Sequence, residues 1–153
     1  MNVPTLPHVR LRDAGKRDIR TQFGAVCWRR RKRKVELLLI TSRRTRRWLI
    51  PKGWPMDGMT PAETAAQEAL EEAGVIGRPD PRCLGIYLYE KDLGVGRSIP
   101  CAVALYPLQI HEQLAAWPEQ EERVRRWRNP KEAAKLVLEP DLAQILRDFT
   151  PPA

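Results

Sequence analysis

Three carboxylates stand within five residues in the stretch QEALEEAG, at Glu68, Glu71 and Glu72. On a helix turning ~100° per residue they share an arc of about 100°, with Glu68 and Glu72 one turn, about 6 Å, apart along the axis. Like charges at that spacing destabilise a helix, and acids near its C-terminus oppose the dipole. No Lys or Arg stands three or four residues from any of them. Rigidly mounted oxygen ligands of this kind suit Mg²⁺ or Mn²⁺, which would offset the repulsion. The plain alternative is a solvated acidic helix face.

The charge around this stretch sharpens the question. The segment from Gly53 to Gly77 holds five acids and no base, whereas the 153-residue chain carries 27 Lys and Arg against 19 Asp and Glu, net +8. The segment is therefore −5 and the remainder +13. Such an excess implies an anionic partner, whether nucleic acid, membrane surface or a phosphorylated small molecule.

The elements that must position the acids read from pattern. QFGAVCW (Gln22–Trp28) and VELLLIT (Val35–Thr41) are strand-length apolar runs, and the bases RRRKRK (Arg29–Lys34) between them read as a solvated hairpin turn or a polyanion contact. WLIP is a short strand ended by Pro51, and GWPMDGM is an irregular loop. Thr60 as N-cap, Pro61 at the first position and Glu63 at the third make a capping box, opening a helix from Pro61 to about Ala73 that stops at Gly74. Ala62, Ala66, Ala69, Leu70 and Ala73 give that helix a small apolar face for close packing on a sheet. Strands are expected at Arg82–Glu90, Ser98–Leu108 and Glu122–Trp127, then helices from Pro130 to about Val137 and from Pro140. This order predicts an α/β layered domain with a mixed sheet over residues 20–150, preceded by a partly disordered lead-in over 1–19.

No run approaches the ~18 apolar residues of a membrane span. The first 18 residues lack the apolar core of a secretory signal, so no membrane partner is expected. Cys27, Cys83 and Cys101 are odd in number and never in a CxxC pair, which fits reduced thiols in a cytoplasmic protein. With two histidines, the chain lacks the clustered ligands of a zinc site.

The segment GWPMDGMTPAETAAQEALEEAGV (Gly53–Val75) resembles the Nudix box, G-x5-E-x7-R-E-U-x-E-E-x-G-U, where U is apolar. Gly53, Glu68, Ala69, Glu71, Glu72, Gly74 and Val75 fall in register. Met59 stands where the pattern has Glu, and Gln67 where it has Arg. In the family those two tend to form a supporting ion pair. Losing both charges together is far less damaging than stranding one. SRRTRRWLIPKG before the box and WPEQEERVRRWRNPKEAAKLV after it resemble the diphosphoinositol polyphosphate phosphohydrolase branch.

The resemblance implies an α/β/α sandwich around a mixed sheet and Mg²⁺- or Mn²⁺-dependent cleavage of a P–O–P linkage by water. Glu68 and Glu72 would be metal ligands, with the backbone carbonyl of Lys52 or Gly53 as a further one. Glu71 would be the general base, or a third ligand with Glu112, Glu119 or Glu121 as base. Arg20, Arg43, Arg97, Arg123 and Lys135 resemble substrate-binding positions, and Trp48 and Trp127 read as packing residues. The first expectation is a hydrolase acting on a polyanionic small molecule, such as a diphosphoinositol polyphosphate or a dinucleoside polyphosphate. The alternatives are an RNA 5′-pyrophosphohydrolase and a non-catalytic polyanion- or RNA-binding module with a drifted box. The oligomeric state stays open.

Overall fold

The computed structural model describes residues 18–152, so the lead-in expected over 1–19 lies outside it except for residues 18 and 19. The two longest strands organise the rest. Strand β1 (Arg20–Arg31) runs parallel to β7 (Arg97–Gln113), from Arg20 opposite Cys101 to Trp28 opposite Gln109. Every other pairing between these strands is antiparallel: β2 (Lys34–Thr41) and β4 (Lys52–Gly53) on β1, β3 (Trp48–Leu49) and β8 (Arg125–Arg128) on β2, β5 (Val75–Pro79) and β6 (Gly85–Gly94) on β7. The result is the mixed sheet that strand–helix alternation led us to expect.

Alternation along β1 and β2 assigns the two faces. Ala25, Cys27, Leu38 and Ile40 point to helix α1 (Pro61–Ala73), while Val26, Trp28, Leu37 and Leu39 point to α2 (Pro130–Leu136) and α3 (Pro140–Arg147). The architecture is thus α/β/α, as the resemblance implied.

Helix α1 carries its expected caps. Thr60 accepts from the Glu63 amide at 3.2 Å, Glu63 returns a bond to the Thr60 amide at 2.9 Å, and Gly74 closes the helix at φ 65°. Its packing stripe differs from the expected one. Ala62, Ala65, Ala69, Glu72 and Ala73 are buried, whereas Ala66 and Leu70 are half-buried. The helix is rotated so that one of its acids faces inward.

The six bases Arg29–Lys34 do not all form a turn. Strand β1 continues to Arg31 and β2 begins at Lys34, leaving Lys32 and Arg33 as a two-residue turn with φ 51° and 65°. Both signs belong to a type I′ turn, where Asn-Gly is favoured and other L-residues cost about 1–2 kcal/mol each. Strand β5 was not legible in VIGRP. Its Pro79 is tolerated because the strand lies at the sheet edge.

Candidate functional site

Strand β4 is two residues long, yet it is pinned to the centre of the sheet, with Gly53 opposite Phe23 and Lys52 opposite Gly24. Helix α1 lies so close that a Cβ on Gly53 would stand 2.2 Å from the carboxylate carbon of Glu68. The small stripe of α1 permits this approach, and the glycine makes room for the acid.

One turn further, Glu72 is 5% exposed and hydrogen-bonded to Glu68. Burial pushes Glu72 well above the usual carboxylate range and the bond to Glu68 adds to this, while Arg123 and Lys52 oppose it. Glu68 is also raised, chiefly by burial. Two neighbouring acids, both held above the ordinary carboxylate range, therefore stand in the wall of a pocket.

The segment after β7 clips onto the C-terminus of α1. Leu114 donates its amide to Gly74 O at 2.8 Å, Glu119 donates its amide to Glu71 O at 3.1 Å, and the Trp117 indole donates to Glu72 O at 3.1 Å. Arg125 donates to the carbonyls of Ala73 and Leu114 at 2.9 and 2.6 Å. The positive charge missing from the helix sequence is thus supplied by residues about 50 positions away, and the last carbonyls are satisfied.

The same segment brings Arg123 to Glu72 at 3.5 Å, to Glu119 at 3.0 Å and to the carbonyl of Thr41 at 3.0 Å. Around these groups lies a pocket of about 200 Å³, in which Arg43, Lys52, Lys91 and Arg123 meet Glu68, Glu72 and Glu119. Lys52 sits 4.8 Å over the Tyr89 ring, and the Tyr89 hydroxyl donates to Gln22. Burial and then the charges of Lys91 and Arg123 bring Lys52 down to about 8, against the pull of Glu72. Lys52 thus remains charged at neutral pH. Trp54, 40% exposed on the rim, has Lys91 5.8 Å over its ring.

Of the residues expected from sequence, Glu68, Glu72, Lys52, Gly53, Arg43 and Arg123 come together here, with Glu119. Glu71 does not line the pocket; it accepts from Gln67 Nε2 at 3.1 Å. Met59 is exposed in the loop before α1, so the pair that departs from the box leaves no buried charge stranded. Arg20 precedes Gln22 by two residues on the same face of β1, and Arg97 lies at the tip of the β6–β7 hairpin, beyond Lys91. Lys135 is exposed on α2, across the sheet from α1, and Glu112 and Glu121 are exposed outside the pocket. Gln22, Tyr89, Lys91 and Trp54 were not anticipated. The alternation Tyr87, Tyr89, Lys91 along one strand face was the available signal.

Among the described residues, no three His, Cys, Asp or Glu side chains converge tightly enough to ligate one ion by themselves. The donor set nevertheless suits a hard cation. Mg²⁺ is commonly held through one or two carboxylates with water and substrate phosphates filling the rest. Glu68 and Glu72, both raised by burial, stand together where added positive charge would stabilise them, and Gly53 packs directly against Glu68.

A profile described as the NUDIX domain matches residues 18–149. The chain is 38% identical over 125 residues to Nudix hydrolase 13, mitochondrial, of Arabidopsis thaliana, covering 76% of this chain and 60% of that protein. It is 29% identical over 116 residues to human diphosphoinositol polyphosphate phosphohydrolase 3-beta, covering 74% and 66%. It spans about three-fifths of the length of the plant relatives it matches best among these. In fold it is similar to the Caenorhabditis elegans Ap4A hydrolase, with a TM-score of 0.60 at 20% identity, covering 84% of this chain and 94% of that one.

Proposed function

The chain belongs to the Nudix family, and on that footing we propose that its pocket hydrolyses a P–O–P linkage in a polyanionic small molecule. The observation that carries this reading is the Glu68–Glu72 pair, adjacent and half-enclosed in a pocket that four bases also line. A diphosphate is recognised by such bases, because guanidinium forks match its oxygens and an ammonium supplies a compact charge. Arg43, Lys52 and Lys91 hold the phosphates, with Arg20 and Arg97 reaching longer substrates from the rim.

Glu68 and Glu72 would hold Mg²⁺ or Mn²⁺ with a carbonyl of Lys52 or Gly53, and such an ion would supply charge neutralisation at the phosphates and a more acidic water. Glu119, in the pocket wall and oriented by Arg123, takes the proton of the attacking water. Glu71, which the box register named first for that task, is turned to Gln67 and supports the acidic face. A human relative is named for diphosphoinositol polyphosphates and a structural neighbour for Ap4A. Both compounds present clustered anionic oxygens to a basic rim. Free thiols at Cys27, Cys83 and Cys101 suit a reducing compartment such as the cytoplasm.

The test is phosphate release from a panel of diphosphoinositol polyphosphates and dinucleoside polyphosphates with Mg²⁺ or Mn²⁺. Binding of Mn²⁺ is followed separately by paramagnetic resonance. Glu72→Gln should abolish turnover and weaken Mn²⁺ binding with the fold intact. Equal turnover by the variant and the parent would end the proposal.

A further inference from the structure

A second basic surface lies at the other end of β2, unconnected with the carboxylate pocket. It is a groove of about 460 Å³ under the β1–β2 hairpin, walled by Arg31, Lys32, Lys34, Trp127, Arg128 and Asn129. It shares no lining residue with the pocket. Lys34 begins β2 and Thr41, which holds Arg123, ends it, so the two sites stand about 23 Å apart along the strand.

The hairpin is built against its own stability. Arg31 stands directly opposite Lys34, a like-charge pair on the last rung, and the turn between them places Lys32 and Arg33 at positive φ. None of Arg31, Lys32, Arg33 and Lys34 is ion-paired to any described residue. Glu36 is engaged by Arg29 at 3.0 Å, which leaves Glu132 as the other acid of the groove. A solubilising turn needs one or two charges. Four in succession, with Arg128 across the groove, form a track for a ligand whose own charge repeats.

We propose that this hairpin and groove bind the phosphodiester backbone of a single-stranded nucleic acid. The groove is too small for a duplex. Trp127 packs against the α1-side core, with Arg29 4.0 Å over its ring and its indole nitrogen donating to Gln113, so the part of it that lines the groove is a fixed wall beside the basic track. No large apolar side chain is exposed between Arg29 and Glu36, so the hairpin has nothing to insert into a bilayer. The surface is independent of the hydrolytic pocket and holds a strand whether or not that strand is a substrate.

The test measures anisotropy of labelled 12-residue oligouridylate and oligothymidylate across a salt series. Removing four cations in Arg31→Gln/Lys32→Gln/Arg33→Gln/Lys34→Gln should weaken binding at least tenfold. It should also flatten the plot of log K against log salt by up to about 3, at roughly 0.7 per phosphate contact. Lys32→Asn/Arg33→Gly removes two charges while installing the favoured turn, so it should raise thermal stability and still weaken binding. Both variants keep the parent's kcat/KM on a small diphosphate, and Glu72→Gln binds the oligonucleotides as the parent does. No binding by the parent, an unchanged salt slope in the quadruple variant, or binding to phosphatidylserine vesicles in place of the oligonucleotides would overturn the proposal.

Discussion

Gly53 and Glu68 are in such close contact that a methyl group on the first would overlap the carboxylate of the second, 2.2 Å from both its carbon and Oε1. The obstacle is the end of a flexible side chain, so Glu68 can swing aside without unfolding the helix. Gly53→Ala should therefore leave the melting temperature within a few degrees of the parent while lowering turnover on a diphosphate about 100-fold, the order expected when a catalytic group is misplaced by an ångström. Scanning calorimetry and steady-state kinetics on the same preparation check it. A fully active Gly53→Ala enzyme would mean that Glu68 has no positional role.

The raised Glu72 carboxyl makes a pH prediction for protein kept free of divalent ions with a chelator. Folding raises Glu72 above its ordinary value of 4.5, so from there upward the folded state binds more protons than the unfolded one. Stability then falls as pH rises through the raised value. Lys52 adds no slope there, because folding lowers it only to about 8 and it is charged in both states below that. The urea midpoint of the parent, relative to Glu72→Gln, should decline between pH 5 and 7. Saturating Mg²⁺ should abolish or reverse the decline. Parallel midpoints across the range would show that Glu72 carries no extra proton.

Trp54 offers an indole at the pocket mouth with Lys91 beside it. Stacking on an exposed aromatic is worth roughly 1–3 kcal/mol to a nucleobase and nothing to an inositol ring bearing phosphates. Trp54→Ala should therefore raise KM for a dinucleoside polyphosphate at least fivefold and leave KM for a diphosphoinositol polyphosphate within twofold. Kinetics on both substrates decide it, and equal effects on the two would remove Trp54 from base recognition.

What was legible in the sequence was whatever depends on near neighbours. Thr60, Pro61, Glu63 and Gly74 define α1 to the residue, since caps act within one turn. The rotation of α1 was not legible, because Ala62, Ala66, Ala69, Leu70 and Ala73 make as good an apolar arc as the observed stripe. The choice is made by Gly53, which admits Glu68 to the sheet, and by Arg123 and Lys52, which receive Glu72. Those partners come from a two-residue strand and from a loop about 50 positions downstream. Lys91 lies just past the strand expected to end at Glu90; the alternation Tyr87, Tyr89, Lys91 puts it on one face, but only the fold shows that this face lines the pocket. The six bases Arg29–Lys34 read as a turn because their charge hides the strand, and only the ladder shows Arg31 facing Lys34.

Arg43 and Arg123 both resembled substrate-binding positions, and their surroundings now separate them. Arg123 has a side chain 9% exposed and holds Glu72, Glu119 and the Thr41 carbonyl at once. Arg43 is 59% exposed and reaches Glu119 and Glu122 only at 3.9 and 3.7 Å. Removing a buried cation from paired acids typically costs about 3–5 kcal/mol, because the partners are left uncompensated. Arg123→Met should thus lower the urea-derived stability by an amount of that order and reduce kcat through the loss of orientation at Glu119. Arg43→Met should leave stability unchanged and act on KM, since an exposed base is free to follow the phosphates. Denaturation and kinetics on the two variants distinguish the roles. If Arg123→Met were as stable as the parent and altered KM alone, it would be a substrate contact like Arg43, and the orientation of Glu119 would need another source.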